Sequence, residues 1–279
     1  MPHDETWPQI SIVTPSYNQG EFIEETIRSV LLQAYPAVEY IIIDGGSTDE
    51  SVEIIKKYEP WLSHWVSEPD RGQSHGINKG LALATGKILA WLNSDDYLLP
   101  GALRAVAEAY GKAPDAGGWF GICQRVTRDG GLISVRHPNR LDLEGLADKS
   151  QNWVMQPACF FSAEVWKICG PLDTSLSFAM DFDLWLKIAG NRRIEKIDAV
   201  LAAARVHEDA KTRAQRGIMF AEIWTVQVRH GFERMAISQM AGLWEEHQEL
   251  LDKTYKVQSF FPCRLIRPLV KPFLKRIFS

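Results

Sequence analysis

Short apolar runs rich in β-branched residues alternate with amphipathic segments from residue 10 to about residue 110 of this 279-residue chain. Such alternation is typical of a parallel sheet covered by helices. Four predicted strands, each followed by a predicted helix, make up the region: 10–14 and 21–33, 38–44 and 47–58, 64–67 and 74–84, and 88–92 before a helix opened by Pro100. The sequence therefore predicts an open, mostly parallel α/β sheet of Rossmann-like type.

A capping box is predicted at the start of the second helix. The segment Ser47-Thr48-Asp49-Glu50 has the S-x-x-E pattern, in which a serine hydroxyl and a glutamate carboxylate bind backbone amides that lack helical partners. We therefore expect the second helix to begin at this segment.

The pattern is less regular after Gly117. Strands are predicted near 119–122, 132–135 and 159–162, a helix over 182–189, and two amphipathic helices beyond residue 210 with a break near Gly231. We therefore predict one α/β domain over residues 1–210, C-terminal helices over 211–252 and a separate tail over 253–279.

The net charge of −4 hides an uneven distribution. Residues 253–279 contain seven basic side chains and no acidic one, so residues 1–252 carry −11. An acidic body disfavours nucleic acid as a partner, because nucleic-acid binders place basic charge near their aromatic residues. In the tail, apolar pairs such as Phe260-Phe261 interleave with the cations, a pattern suited to an anionic membrane surface.

Three prolines interrupt the tail at Pro262, Pro268 and Pro272 and prevent one continuous helix. They favour the alternative that the tail packs on the acidic body. Co-sedimentation of the full chain and of residues 1–252 with anionic vesicles distinguishes the two interpretations, because equal binding by both chains excludes the membrane.

The cellular location of the protein and the redox state of its cysteines are predicted from three patterns: a membrane span, a signal peptide and paired cysteines. No apolar run approaches the roughly 18 residues that span a bilayer, and residues 1–5 lack the basic-then-apolar pattern of a signal peptide. We therefore expect a cytoplasmic protein, peripheral on the cytoplasmic face of the inner membrane if the tail binds lipid. The four cysteines show no C-x-x-C spacing, which predicts reduced, mostly buried thiols.

Polar residues follow each of the four predicted strands. Open parallel sheets bind ligands outside the carboxyl ends of their strands, so these loops are the expected site. The segments are 15–18, 44–47, 68–72 and 93–96. The chain has neither G-x-G-x-x-G nor G-x-x-x-x-G-K-[ST], which disfavours a dinucleotide cofactor and a P-loop.

Asp95 and Asp96 are adjacent carboxylates at the end of an apolar strand. They repel each other and resist desolvation unless a cation lies beside them. Mg²⁺ and Mn²⁺ suit such oxygen ligands and complete their shells with water and phosphate oxygens. The alternative is that these residues only cap the following turn. Asp44 has a similar pair of interpretations, an Asx turn before Gly45-Gly46 or an acceptor for a donor group of a base or ribose.

Four motifs resemble those of the family 2 glycosyltransferases of the GT-A fold. They are Ser11-Ile12-Val13-Thr14-Pro15-Ser16-Tyr17-Asn18, Ile43-Asp44-Gly45-Gly46-Ser47-Thr48-Asp49, Gly76-Ile77-Asn78-Lys79-Gly80 and Trp91-Leu92-Asn93-Ser94-Asp95-Asp96. The resemblance extends over residues 10–210. It implies an inverting, metal-dependent glycosyltransferase of the hexosyltransferase type, which moves a sugar from a nucleotide-diphosphate sugar to a saccharide or lipid-linked acceptor in bacterial cell-surface polysaccharide synthesis.

The resemblance also implies roles in donor binding. Pro15 and Tyr17 would line the base pocket, and Asp44 would accept a hydrogen bond from the base. By its charge, Arg71 is a candidate to neutralise the diphosphate, whose negative charge increases as it leaves, and a solvated surface charge is its alternative interpretation.

The metal site is implied in the same way. Asp95 and Asp96 would stand for the family's D-x-D region, holding the ribose and Mn²⁺ or Mg²⁺. The first position of a strict D-x-D is Asn93 here, which leaves open which aspartate is the direct ligand. His207 would reach the metal or the diphosphate, and a surface histidine is its alternative interpretation.

The segment Ala179-Met180-Asp181-Phe182-Asp183-Leu184-Trp185 resembles the family's E-D-x-D-L-W motif, with Met180 in place of the usual Glu. By this resemblance Asp181 is the general base that removes a proton from the acceptor hydroxyl, and Asp183 has a supporting role. The alternative for Asp181 is a helix N-cap, since an apolar stripe follows it. Trp153 and Trp185, which flank the motifs, are candidates for sugar stacking or for the core.

Two other classes of protein remain as alternatives. A nucleotidyltransferase that makes a nucleotide sugar would have a basic, Gly-rich loop after the first strand, and residues 15–20 contain no Lys or Arg. A non-catalytic carbohydrate-binding protein would not need four aspartates in these motifs.

Overall fold

The computed structural model describes residues 7–206 and 216–260. The chain divides into two compact units, residues 1–231 and 232–279. The first unit contains the sheet and the helix that precedes Gly231, and the second unit contains the last helix. The break predicted near Gly231 is confirmed, and this glycine has φ +84°.

Strands and helices alternate regularly up to residue 112 and less regularly thereafter. The strands are β1 (Ile10–Ser16), β2 (Val38–Asp44), β3 (His64–Ser67), β4 (Ile88–Trp91), β5 (Tyr97–Leu98), β6 (Gly118–Thr127), β7 (Leu132–Arg136), β8 (Cys159–Ser162) and β9 (Ile194–Val206). The helices are α1 (Ile23–Leu31), α2 (Ser51–Tyr58), α3 (Gln73–Leu83), α4 (Ala102–Lys112), α5 (Leu143–Ala147), α6 (Ala163–Cys169), α7 (Met180–Asn191), α8 (Arg216–Arg229) and α9 (Glu233–Phe260).

The strands form one mixed sheet with the order β3-β2-β1-β4-β8-β6-β9-β5, and β7 pairs with β6. The first four strands of this order are parallel, as the alternating pattern predicts. Beyond β4 the pairing is antiparallel except for β6 with β9. Parallel strands need crossover helices, whereas antiparallel ones do not, so the alternation is visible in the first half of the sequence alone.

The two central parallel strands are buried almost completely. Every residue of β1 is buried, as are residues 40–44 of β2. Helix α1 packs Ile23, Ile27 and Val30 into the same core. Each such side chain contributes about 1.5–3 kcal/mol on burial, so this part of the sheet is a rigid base for the loops at the carboxyl ends.

The predicted capping box is wrong. Helix α2 begins at Ser51, the N-cap residue Glu50 makes no side-chain capping bond, and Asp49 Oδ1 accepts the backbone N–H of Ser51 at 3.0 Å. Ser47 instead donates its hydroxyl to Asp44 Oδ1 at 2.5 Å and accepts a hydrogen bond from the backbone N–H of Asn18 at 2.8 Å. A local S-x-x-E match cannot reveal this, because the competing partners come from neighbouring strand-end loops.

Close packing between α3 and β1 depends on Gly80. A Cβ at this position would lie 2.3 Å from Val13 Cγ1 and 3.2 Å from Ile43 Cγ1. We expect Gly80→Ala to lower the free energy of unfolding by about 1–3 kcal/mol through overpacking. Gly111→Ala is the matched control, because that helical glycine has no neighbouring atom within 4 Å, and it should gain about 0.5–1 kcal/mol. Thermal melts of both variants provide the measurement, and equal melting temperatures would contradict this account of the packing.

Three of the four cysteines, Cys123, Cys159 and Cys169, are free and buried as predicted. None of the helices in the described residues has both the length and the apolarity needed to cross a bilayer. Most of the basic tail, from residue 261 onward, lies outside the described residues, as does His207.

Candidate active site

Asp44 closes a turn at the carboxyl end of β2 and is fully buried. Its Oδ2 accepts hydrogen bonds from the backbone N–H groups of Gly46 (3.1 Å) and Ser47 (2.8 Å) and from the Ser67 hydroxyl (2.7 Å). Gly46 has φ +82°, a conformation that glycine adopts without steric cost. The Asx turn is therefore formed. Because Oδ1 accepts from the Ser47 hydroxyl, both oxygens are engaged within the protein.

Asp70 brings a second carboxylate to the same edge of the sheet, beyond the end of β3. Its Oδ1 accepts a hydrogen bond from the backbone N–H of Gly72 at 2.7 Å. Its Oδ2 lies beside two glycines, because a Cβ at Gly45 or Gly76 would come within 2.9 or 3.1 Å of it. The glycines therefore make room for this partly buried carboxylate, which the sequence analysis did not select.

The other predicted donor-binding residues lie at this edge with different exposures. Tyr17 directly follows β1 and is 61% exposed. Pro15 is buried within β1, and its Cβ lies 3.7 Å from the position of a Cβ on Gly76. Arg71 is exposed, and its backbone N–H donates to His75 Nδ1 at 3.4 Å.

The acidic turn over residues 93–96 follows β4 and is held by other elements. The Thr26 hydroxyl of α1 lies 2.9 Å from the carbonyl oxygen of Ser94 and 2.7 Å from that of Asp96. Gln73 of α3 donates to Asn93 Oδ1 at 2.8 Å, and Asn93 Nδ2 donates to Asp96 Oδ2 at 3.4 Å. An amide can both accept and donate, whereas a carboxylate can only accept, which explains Asn93 at the first D-x-D position.

Arg205, on β9, is a buried cation next to this turn. Its backbone N–H donates to Asp96 Oδ1 at 2.9 Å. Its guanidinium donates to the backbone carbonyl of Asp95 at 2.7 Å and to Glu25 at 2.5 Å. Arg205 therefore holds the turn at the carbonyl group of Asp95 and at the carboxyl group of Asp96. In the sequence, His207 is the residue directly after β9.

The two adjacent aspartates have different surroundings. Asp96 is 5% exposed, and burial followed by the charge of Asp95 raises the pKa of its carboxyl well above the ordinary value, despite hydrogen bonds from Arg205 and Asn93. Asp95 is only partly buried. A carboxylate that faces solvent can exchange water for a metal ion, so the geometry favours Asp95 over Asp96 as a ligand.

The donor set at the acidic turn fits a hard divalent cation. Within residues 7–206 and 216–260, no three His, Cys, Asp or Glu side chains are arranged to hold a metal ion. Mg²⁺ and Mn²⁺ do not require three, because one or two carboxylates with water and substrate phosphates complete their shells. An accessible carboxylate next to a buried one provides such a partial site.

Asp181 lies in the first turn of α7, where Ala179 rather than Asp181 occupies the N-cap position. The N-cap alternative is therefore wrong. Asp181 Oδ1 accepts the backbone N–H of Phe182 at 2.6 Å. Burial raises the pKa of this carboxyl, and the ammonium of Lys149 opposes the increase. A raised pKa makes the ionised carboxylate a stronger proton acceptor, as a general base requires.

Direct contacts join α7, which carries Asp181, and the segment before it to the parallel half of the sheet. Trp91 of β4 stacks on Trp185 of α7, with ring centroids 5.5 Å apart and an interplanar angle of 12°. The Asn78 side chain of α3 binds both the N–H (2.9 Å) and the carbonyl (3.0 Å) of Leu172. These contacts fix the position of Asp181 relative to the strand that leads into the acidic turn.

Helix α8 fixes the start of α7. The Glu222 carboxylate accepts hydrogen bonds of 2.7–3.0 Å from the backbone N–H groups of residues 177–179. Burial alone would raise the pKa of Asp183, but hydrogen bonds from His230 (2.9 Å) and Lys187 (2.7 Å) outweigh it and hold the pKa below its ordinary value. Asp183 therefore has a structural, supporting position.

The two tryptophan candidates differ in exposure. Trp185 is 1% exposed and belongs to the core, whereas Trp153 is 41% exposed. Sequence reasoning did not select Arg205, Glu222 or Lys149 for this site. Arg205 is the single charged residue in the apolar run 201–206, a signal that could have identified it. Glu222 is likewise the single charged residue in the run 217–228, whereas Lys149 stands in a polar segment without such a signal.

The family model described as "Glycosyl transferase family 2" matches residues 11–163, which is more than half of the chain. The chain belongs to glycosyl transferase family 2. It is therefore a glycosyltransferase, as the four motifs predict.

Relatives of the chain are bacterial glycosyltransferases. An uncharacterized glycosyltransferase of Mycobacterium tuberculosis (strain H37Rv) is 35% identical over 186 residues, which are 65% of this chain and 69% of the relative. The putative teichuronic acid biosynthesis glycosyltransferase TuaG of Bacillus subtilis is 42% identical over 92 residues, which are 32% of this chain and 36% of the relative.

Two solved structures share the fold. Staphylococcus aureus TarS residues 1–349, in complex with UDP-GlcNAc, matches 81% of this chain and 66% of its own with a TM-score of 0.62 and 19% identity. The mannosyltransferase PcManGT of Pyrobaculum calidifontis, in complex with GDP-Man and Mn²⁺, matches 94% and 86% with a TM-score of 0.58 and 19% identity. The fold is the predicted GT-A fold.

Proposed function

We propose that this glycosyltransferase moves a sugar from a nucleotide-diphosphate sugar to a hydroxyl of a saccharide or lipid-linked acceptor, with inversion and with Mn²⁺ or Mg²⁺. UDP-GlcNAc in TarS and GDP-Man with Mn²⁺ in PcManGT support this class of donor and a divalent cation. The name of TuaG supports a role in polysaccharide synthesis. A cytoplasmic location and attachment of residues 253–279 to an anionic membrane surface are part of the proposal, supported by the charge pattern of the tail.

One observation carries the proposal. A partly exposed carboxylate, Asp95, lies in the turn that follows β4, and a carboxyl of raised pKa, Asp181, lies on α7, which packs on β4 through Trp91 and Trp185. The first can bind the donor's diphosphate through a cation, and the second can accept a proton from the acceptor. This is the pair of groups that in-line displacement at an anomeric carbon needs.

In the proposed reaction, the acceptor hydroxyl attacks the anomeric carbon from the side opposite the diphosphate. Asp181 takes the hydroxyl proton as the new carbon–oxygen bond forms and the bond to the diphosphate oxygen breaks. Attack from the opposite side inverts the configuration of that carbon. The nucleoside diphosphate leaves with the electron pair of the broken bond.

Donor binding would involve the strand-end loops. A divalent cation held by Asp95 would neutralise the charge that develops on the departing diphosphate. Arg71 and His207 are proposed to add positive charge there, and Tyr17 to stack on the base. Because Asp44 Oδ2 already accepts three hydrogen bonds, its contact with the base would be made by Oδ1, which accepts the Ser47 hydroxyl and can accept one donor more.

A panel of nucleotide-diphosphate sugars tests the proposal. Each donor is incubated with the full chain and Mn²⁺, and release of the nucleoside diphosphate is measured with and without EDTA. We expect release from a restricted set of donors and its loss with EDTA. Failure of every donor to be hydrolysed or bound, with Mn²⁺ or Mg²⁺, would contradict the proposed donor class.

A further inference from the structure

Lys149 is a buried cation that the proposed reaction does not yet use. It lies after α5 and is 9% exposed. Its Nζ stands 4.3 Å from the ring centroid of Phe182 and 5.3 Å from that of Trp153. Phe182 is the residue whose backbone N–H binds Asp181, so the ammonium lies over the first turn of the helix that carries the base.

A lysine in such a place needs compensation for its lost hydration. Desolvation destabilises a buried ammonium, and aromatic faces and a nearby carboxylate are the groups that offset this cost. Burial lowers the pKa of Lys149, while the carboxylate of Asp181 acts in the opposite direction. Reciprocally, burial raises the pKa of Asp181 and Lys149 lowers it. Each group therefore favours the charged form of the other.

We propose that Lys149 is a positioning residue whose ammonium holds the carboxyl group of Asp181 in the ionised form that removes the acceptor's proton. This inference rests on the proposed role of Asp181 as the base. It adds a second residue to the chemistry of proton removal, which the E-D-x-D-L-W resemblance does not contain. Trp153 and Phe182 keep the ammonium in place through their ring faces.

Other titratable groups around this turn do not substitute for Lys149. The Cys159 thiol of β8 lies close to both residues, and burial raises its pKa well above the ordinary value, so it stays neutral. Glu222 is bound to the amides of residues 177–179. Asp183, on the same turn of α7, is paired with His230 and Lys187. Among the described residues around this turn, Lys149 is thus the ammonium whose charge acts on Asp181.

The charge of Lys149 determines the direction in which the pH profile of activity should move. The base must be deprotonated, so activity falls as pH decreases through the pKa of Asp181. Removing a nearby cation raises that pKa, so the acid limb of the activity profile moves to higher pH. At a pH well above the shifted limb, the variant should approach the wild-type rate.

Lys149→Met tests this with little change in volume. We expect the acid limb of Lys149→Met to lie about one pH unit above that of the wild type. Lys149→Arg keeps a cation at this position, so its acid limb should lie close to that of the wild type. Lys167→Met is the matched control, because Lys167 is exposed on α6 and should leave the profile unchanged. A Lys149→Met profile that overlies the wild type would overturn the proposal.

A measurement without catalysis separates this inference from the proposed function. Chains carrying ¹³C-labelled Asp carboxyl carbons are titrated by NMR, and the Asp181 signal is identified by its absence in Asp181→Asn. Its titration midpoint should be higher in Lys149→Met than in the wild type. An unchanged midpoint overturns the role of Lys149 even if Asp181→Asn is inactive, whereas full activity of Asp181→Asn overturns Asp181 as the base.

Discussion

Asp181→Asn is expected to lower the turnover of sugar transfer by about 10²–10⁴-fold, the usual contribution of a general base. The carboxamide keeps the oxygen that accepts the Phe182 amide but cannot take a proton at neutral pH. Because no donor contact is assigned to Asp181, binding of the nucleoside diphosphate should stay within about twofold of the wild type. Initial rates with a donor identified in the panel measure the turnover. A titration with the nucleoside diphosphate measures its binding.

The stability of this variant is part of the prediction. Burial raises the pKa of Asp181, so its contribution to stability is lost as pH rises through that pKa. Asp181→Asn should therefore unfold at or above the wild-type melting temperature near neutral pH. Asp115→Asn, an exposed aspartate paired with Arg193, serves as the control and should leave the rate unchanged. Turnover of Asp181→Asn close to that of the wild type would exclude Asp181 as the base.

Asp95→Asn is expected to lower kcat/KM by at least about 10²-fold and to weaken the apparent affinity for Mn²⁺ by at least tenfold. Asp95 is the partly exposed aspartate of the acidic turn, and the amide that replaces it cannot neutralise a cation. The measurement is a Mn²⁺ titration of activity after removal of metal with EDTA. An unchanged Mn²⁺ requirement would show that Asp95 does not bind the metal.

Asp96→Asn is the comparison that separates the two aspartates. Asp96 is buried and accepts the Arg205 amide through Oδ1, a bond that a carboxamide oxygen can keep. The change also removes a carboxyl whose ionisation burial and Asp95 resist. We therefore expect the Mn²⁺ dependence to be retained and activity to stay within about tenfold of the wild type. Loss of Mn²⁺ dependence in this variant, with an unaffected Asp95→Asn, would assign the metal to Asp96.

Much of the parallel half could be predicted from the sequence. The strand 64–67 and the continuous apolar strand over 38–44 match the structure because buried strands bounded by polar loops have a strong local pattern. The sequence analysis predicts neither β9 nor β5, and β5 has no signal because a two-residue strand has no periodicity. The capping box failed because Ser47 had a better partner in Asp44.

For the candidate site, the sequence predicted which residues belong to it but not the surroundings of each residue. Position at a strand end selected Asp44, Asp95 and Asp96, and the family resemblance selected Asp181. The environment of each carboxylate was not predictable, because burial and hydrogen bonds come from residues distant in sequence. The carboxyl group of Asp96, for example, accepts a hydrogen bond from the backbone N–H of Arg205, which is 109 residues away in the sequence.

The sequence by itself determined the family, the parallel half of the sheet and the loops in which the chemistry lies, because these depend on local patterns and motif order. The tertiary structure decided which aspartate is the more exposed, and it placed a buried lysine over the first turn of the helix that carries Asp181. Desolvation and charge coupling act through space, over distances set by packing. They therefore depend on which elements meet, as α5 and α7 do around Lys149 and Asp181.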